Sequence, residues 1–274
     1  MEGVSGVSTM TVPIEQAQGH WVLARMGKRV LRPGGKELTL KLIDALTISG
    51  NDEVIEFAPG LGFTASIVLS KKPASYLGVE RDEVIATELE QVLKPHRNAR
   101  IVIGNAEHTT LPDQSATVVY GEAMLTMQSN EHKQNIVREA YRLLKAQGRY
   151  GIHELCLVPD DISKDLKNQI HRDLATAIRV NARPLTISEW RSLLEKEGFE
   201  VIHAFSNPMH LLEPQRLIDD EGLLRFLKIG FNILTHPKAR MRVLQMRNVF
   251  RRYKDYLGAV ALVGRKIDRI STQN

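Results

Sequence analysis

DEVIEFAPGLGFTA, Asp52 to Ala65, reads as a strand, a glycine turn and the start of a helix. Val54, Ile55 and Phe57 form a short β-prone run behind the Gly50-Asn51 turn, and Gly60 and Gly62 let the backbone reverse and come close to a ligand. A helix beginning at Phe63 turns its unpaired N–H groups toward whatever lies in that turn. The acid matters most. Glu56 falls at the end of the strand, just before the glycines, where a carboxylate repels a pyrophosphate and attracts an ammonium group.

With Glu56, Ala58, Gly60 and Gly62 in this order, the chain resembles the class I S-adenosylmethionine-dependent methyltransferases, of the small-molecule, type 11-like kind, over roughly residues 36–206 with a returning strand near 256–266. The resemblance implies an α/β fold, a doubly wound, seven-stranded, mostly parallel Rossmann-like sheet, and S-adenosylmethionine as cofactor. Glu56 would then face the ammonium of its amino-acid end. Ala58 departs from the family, which commonly has glycine there; a methyl group is tolerated where φ stays negative.

Ser75 to Val79 reads as a second strand ending at Glu80, 24 residues after Glu56. A carboxylate there can accept two hydrogen bonds from a ribose, and in the resembling family this is the ribose position, with Arg81 beside it. A third strand, Ala99 to Ile103, leads into Gly104-Asn105-Ala106-Glu107. The resemblance implies that Asn105 meets the adenine and that Ala106 leaves room for its ring; a short side chain after a strand is equally a turn former.

Ser115 to Tyr120 is the fourth strand, followed by Gly121-Glu122-Ala123-Met124. An Asn/Asp-Pro-Pro-Tyr/Phe signature is missing, which argues against an adenine or glutamine acceptor. Glu122 can serve as a base, bind a cationic substrate or orient a loop. An amphipathic helix, Glu131 to Lys145, is stopped by Gln147-Gly148, and a fifth strand, Arg149 to Leu157, carries His153 and Glu154 on opposite faces. One of the two therefore looks toward the site; His153 is the candidate general base, the alternative being a satisfied core histidine.

The 274 residues divide into an N-terminal helical cap segment, 1–35, and a methyltransferase domain, 36–274, with a lid at 158–184 and a helical insertion at 207–255 before the last strand. Residues 1–13 read as a loose terminus, Glu15 to Leu31 as a helix broken by Arg32-Pro33-Gly34-Gly35, and Thr186 to Gly198 as a helix capped by Ser188. In the resembling family such a leading segment folds over the cofactor, so the N–H groups of Gly34 and Gly35 could reach its carboxylate; a plain turn is the other reading.

Composition sets the rest. With 43% apolar and 25% charged residues the chain is an ordinary globular protein with no apolar run long enough to span a bilayer. Cys156 is the single cysteine, which excludes an internal disulfide, and with no secretory leader it fits a cytoplasmic protein. Nine scattered histidines form no zinc pattern, so no metal is expected. Residues 209–274 hold 13 Lys/Arg against 6 Asp/Glu, and Lys238 to Lys254 has seven basic residues and no acid. That helix is either a cap binding an anionic small molecule or a solvated face in a subunit contact. Oligomeric state is left open.

Two other functions fit fragments of the pattern. Gly60-Leu61-Gly62-Phe63-Thr64-Ala65 also matches the fingerprint of an NAD(P)-dependent oxidoreductase, but Glu56 repels phosphate and Pro59 removes a backbone donor. A nucleic-acid-binding protein could use the basic helix 238–254; with no recognised module beside it, no nucleic acid is expected.

Overall fold

The computed structural model describes residues 12–267. Its elements run α1 (Gly19–Arg25), α2 (Gly35–Ala45), β1 (Glu53–Phe57), α3 (Phe63–Ser70), β2 (Ser75–Glu80), α4 (Glu83–Leu93), β3 (Ala99–Ile103), β4 (Ala116–Glu122), a 3-10 turn at Leu125–Met127, α5 (Asn130–Leu143) and β5 (Leu144–Leu157). There follow α6 (Lys164–Ile178), β6 (Leu185–Thr186), α7 (Ile187–Lys196), β7 (Phe199–Pro208), α8 (Pro214–Glu221), α9 (Leu223–Thr235), α10 (Pro237–Arg252) and β8 (Leu257–Lys266).

The strands lie in the order β3-β2-β1-β4-β5-β8-β7, with the two-residue β6 pairing β5 off this path. β1 to β5 are parallel, whereas β8 is antiparallel to both β5 and β7. This is the doubly wound sheet expected from the sequence. Side chains alternate across it: Val54, Tyr76, Val118, Tyr120, Ala259, Ala261 and Val263 pack under α2, α3 and α4, while Ile55, Phe57, Val119, Tyr150, Ile152, Val260 and Leu262 pack against α5 and α7. Both faces are covered over the central strands, so β1, β2, β4, β5 and β8 are buried on both sides, while the edge strands β3 and β7 are partly exposed.

A third helical layer sits over the strand ends. Ala17, Val22, Leu23, Met26, Ala177, Ala239, Val243 and Met246 join α1, α6 and α10 in a core of their own. This is where the expected lid 158–184 and insertion 207–255 come together, and α8 is an additional helix within the latter.

Four local expectations are corrected. The first helix stops at Arg25 rather than Leu31, because Gly27 takes φ +103 and leads residues 28–34 away as an irregular strap. Gln147-Gly148 does not end a helix; α5 has already ended at Leu143, and the pair takes up a register shift inside β5, with Gln147 at φ 59. Thr186, not Ser188, caps α7, in a reciprocal capping box with Glu189. Ala58 has φ +51 instead of a negative value, so the left-handed turn is made by a residue with a side chain. The loose terminus expected at 1–13 lies outside the described residues but for its last two.

Candidate functional site

A cleft of about 1210 Å³ opens where the parallel strands end and the helical layer begins. That exceeds what one drug-sized ligand ordinarily fills. Its two ends differ in chemistry.

One end is built by the loops after β1, β2, β3 and β4, the place where open α/β sheets bind ligands. Ala58, Pro59 and Gly60 line it from the first loop, Glu80, Arg81 and Asp82 from the second, Asn105, Ala106 and Glu107 from the third, and Glu122 and Ala123 from the fourth. Gly60 has φ +56, and a Cβ on it would project into open space, so the backbone is bare toward the cleft. Glu80 is fixed by its neighbours: Oε1 accepts the N–H groups of Arg81 at 2.8 Å and Asp82 at 3.1 Å, and among the described residues Oε2 accepts only a 3.3 Å contact from Gly60 N–H. The second oxygen thus keeps acceptor capacity. Asn105 Oδ1 accepts from Glu107 N–H at 3.1 Å, and its side chain also hydrogen-bonds the Glu107 carboxylate.

At the floor, Glu122 gathers four donors. Oε2 accepts from Arg32 Nε at 2.7 Å and from the Thr64 hydroxyl; Oε1 accepts from the Thr39 hydroxyl and from His153 Nδ1, each at 2.7 Å. His153 Nε2 lies 2.5 Å from the carbonyl of Pro33. Burial works against the Glu122 charge, but Arg32, His153 and Thr64 outweigh it and hold the carboxyl well below its ordinary range. With four acceptor positions occupied, Glu122 is a fixed anion that ties the strap to β4 and β5. It has no position left for a substrate proton.

The other end is walled by helices. Trp21 from α1, Leu174 and Ile178 from α6, and Met246 and Phe250 from α10 meet there with Leu155, Met209 and Leu211. His20 is the imidazole among these residues, and burial pulls it down to about 4, so it is neutral at pH 7.

Of the residues singled out from sequence, Ala58, Gly60, Glu80, Arg81, Asn105, Ala106 and Glu122 converge on the cleft. Glu56, Gly62, Gly35 and His153 lie off its wall. Glu56 points to the α2 side of the sheet, where the hydroxyls of Tyr76 and Tyr120 donate to Oε2 at 2.5 and 2.6 Å. Burial raises its carboxyl to about 7 against those two hydrogen bonds. The expected meeting of Glu56 with a ligand ammonium is therefore not the geometry found, because alternation along β1 turns the side chain under α2. Gly62 caps α3 with φ +78, and a Cβ there would strike Leu89 at 2.7 Å; packing requires this glycine. Gly35 gives its N–H to Arg32 O at 3.2 Å and abuts Asp220, away from the cleft.

Sequence reasoning missed Arg32, Thr39, Thr64, His20 and Trp21. Arg32 had a signal, a lone cation between two helices before Pro-Gly-Gly. For the others the partner is 58 to 114 residues distant or the role is cavity wall, and no local pattern marks either. The basic helix also differs from expectation. Arg251 and Arg247 hold Glu213, Arg252 holds Asp173, Lys238 holds Glu15, and Arg242 donates to Ala177 O, so these cations face other elements rather than the cleft.

Comparison with known proteins agrees with this architecture. Residues 55–152 match the family model described as "Methyltransferase domain". An uncharacterized protein of Haemophilus influenzae is 35% identical over 241 residues, which is 86% of this chain and 92% of the relative. Among solved structures, the [4+2]-cyclase SpnF superposes with TM-score 0.72 at 14% identity, over 97% of this chain and 99% of that one. A methyltransferase from Geobacter sulfurreducens in complex with S-adenosyl-L-homocysteine gives 0.65 at 14% identity, over 90% and 98%. At such identities the structural likeness is one of fold.

Proposed function

The chain belongs to the class I S-adenosylmethionine-dependent methyltransferases, and from that premise we propose that it methylates a small, largely apolar molecule held between the sheet and the helical layer. It is an enzyme, and S-adenosylmethionine is its cofactor. The observation that carries the reading is the two-ended cleft, polar at the strand ends and apolar beneath α1, α6 and α10.

The residues of the polar end suit the cofactor. Glu80 Oε2 has free acceptor capacity for the ribose hydroxyls, Asn105 and Ala106 bracket an adenine, and the bare Gly60 backbone admits close approach. Arg32 spends Nε on Glu122, so its two terminal amino groups remain for the carboxylate of the amino-acid end. The cofactor supplies an electrophilic methyl on a sulfonium. The protein's part is to align the acceptor and exclude water, to which Leu155, Leu174 and Met246 contribute. Glu122 and His153 act through Arg32 and the strap as positioning residues.

An anionic acceptor, expected from the basic helix, is less favoured, since five of its seven cations are engaged within the chain. A cytoplasmic location, the domain division and the cofactor contacts are parts of the same reading. Thermal shift with S-adenosylmethionine, S-adenosylhomocysteine, NAD and NADP tests the cofactor; stabilisation by the first two alone is expected. Incubation of the protein and labelled cofactor with organic and aqueous cell extracts tests the acceptor. Label appearing only in water-soluble, charged products would sink the apolar assignment.

A further inference from the structure

We propose that the outer face of α9 and α10 docks onto an anionic lipid bilayer surface. α9 packs inward through Ile229, 3% exposed, while Asn232 donates to Met26 O and Arg225 to Gly27 O. Its opposite side carries Leu223, Leu224, Leu227, Phe231 and Leu234, from 57% to 85% exposed, on one stripe of the helix. On α10, which packs beside α9, Met241 and Leu244 are exposed as well, at 55% and 47%. Soluble chains seldom leave so continuous an apolar face open without use.

The charge around it selects the partner. From Leu223 to Lys254 there are nine Lys/Arg and no Asp/Glu. Glu15, Asp173, Glu213 and Glu221 neutralise some of them. Lys228, beside the α9 stripe, and Arg240, beside Met241, are exposed and carry no ion pair among the described residues. A second copy seated on this face would set cation against cation across a two-fold axis. An acidic headgroup layer over an acyl boundary matches both features: Leu and Phe side chains enter the boundary, and Lys228 and Arg240 stay among the headgroups. On its inner side α10 faces the cleft, where it presents Met246 and Phe250. Docking would bring the apolar end of the cleft to the membrane. The surface itself does not depend on the acceptor reading.

The test is flotation of the full chain with vesicles of phosphatidylcholine alone and of phosphatidylcholine with phosphatidylglycerol, alongside the variant Leu227→Glu, Phe231→Glu. Expected is binding to the anionic vesicles, weakened by salt, and about a hundredfold loss of affinity in the variant. The variant should keep its melting temperature and its stabilisation by S-adenosylmethionine, which separates failure of docking from failure of the cofactor reading. No binding to either vesicle, or equal binding by the variant, overturns the proposal. So does a wild-type dimer in sedimentation that the variant dissolves without any vesicle binding, which would assign the face to a second copy.

Discussion

Arg32 Nε and Glu122 Oε2 lie 2.7 Å apart, ninety residues distant in the chain and both out of solvent. One comes from the strap between α1 and α2, the other from the tip of β4. Their pairing fixes how the leading segment covers the sheet.

Removing one partner strands the other charge. Arg32→Ala should cost about 3–5 kcal/mol, the usual penalty for a buried ion left alone, read in urea unfolding. Arg32→Lys keeps a cation but loses the planar fork, so it should cost less stability while still weakening S-adenosylmethionine binding by calorimetry. Equal cofactor affinity in Arg32→Lys would remove Arg32 from the carboxylate.

Glu80→Ala should leave the melting curve nearly unchanged, since its partners are three loop N–H groups at the cleft edge. Two charge-assisted hydrogen bonds to the ribose are worth roughly 1.5–3 kcal/mol each, so cofactor affinity should fall at least tenfold. An unaltered dissociation constant excludes the contact.

Glu56 gives the pH dependence a sign. Its carboxyl stands near 7 in the fold against an ordinary 4.5. Between those values the native state holds a proton that the unfolded chain has released, so this group's contribution is complete below about 4.5, declines as pH rises to 7 and is level above. Glu56→Gln removes the slope. Relative to wild type the variant should gain on the order of 2–3 kcal/mol between pH 5 and 7.5, measured by chemical denaturation at several pH values. A constant difference would place the proton elsewhere.

Ile178 lies at the apolar end, half-buried at the close of α6. Ile178→Trp should fill that end, lowering methyl transfer at least tenfold while S-adenosylmethionine affinity stays within about twofold. Loss of both together would mean the two ends are not separate.

Lys28, nearly unexposed, lies 3.5 Å from Asp220 and 3.8 Å from Glu221, and burial lowers its pKa against their attraction. Asp220 also accepts Lys36 N–H, and Glu221 accepts the N–H groups of Arg29 and Val30, so α8 grips the strap by its backbone. Asp220→Ala and Lys28→Met should each destabilise by about 3 kcal/mol, since either one strands buried charge, but only Asp220→Ala also removes the acceptor of Lys36 N–H and should speed proteolysis at 28–34. Equal proteolysis of both variants would argue for simple packing.

The sheet was legible because β1 to β3 alternate with helices at regular intervals and the glycine turn marks the first crossing. The polar wall of the cleft was legible for the same reason: its residues follow strands, where local pattern gives position. Glu56 misled because position in sequence gives the strand end but not the face, and Ala58 because a left-handed alanine has no sequence signal. Arg32 with Glu122, and Lys28 with Asp220, are pairings between distant segments that only packing brings together. Gln147-Gly148 looks like a helix stop and serves as a strand irregularity, since the two share the same preference for unusual backbone angles.

Because β8 slots between β5 and β7 rather than at a rim, the sheet stays split until residues 257–266 have left the ribosome. Until then β5 offers an unpaired margin of nine residue positions, Arg149 to Leu157, to any strand-like visitor. Synthesis of this chain thus holds a late interval in which β7 has no place to settle.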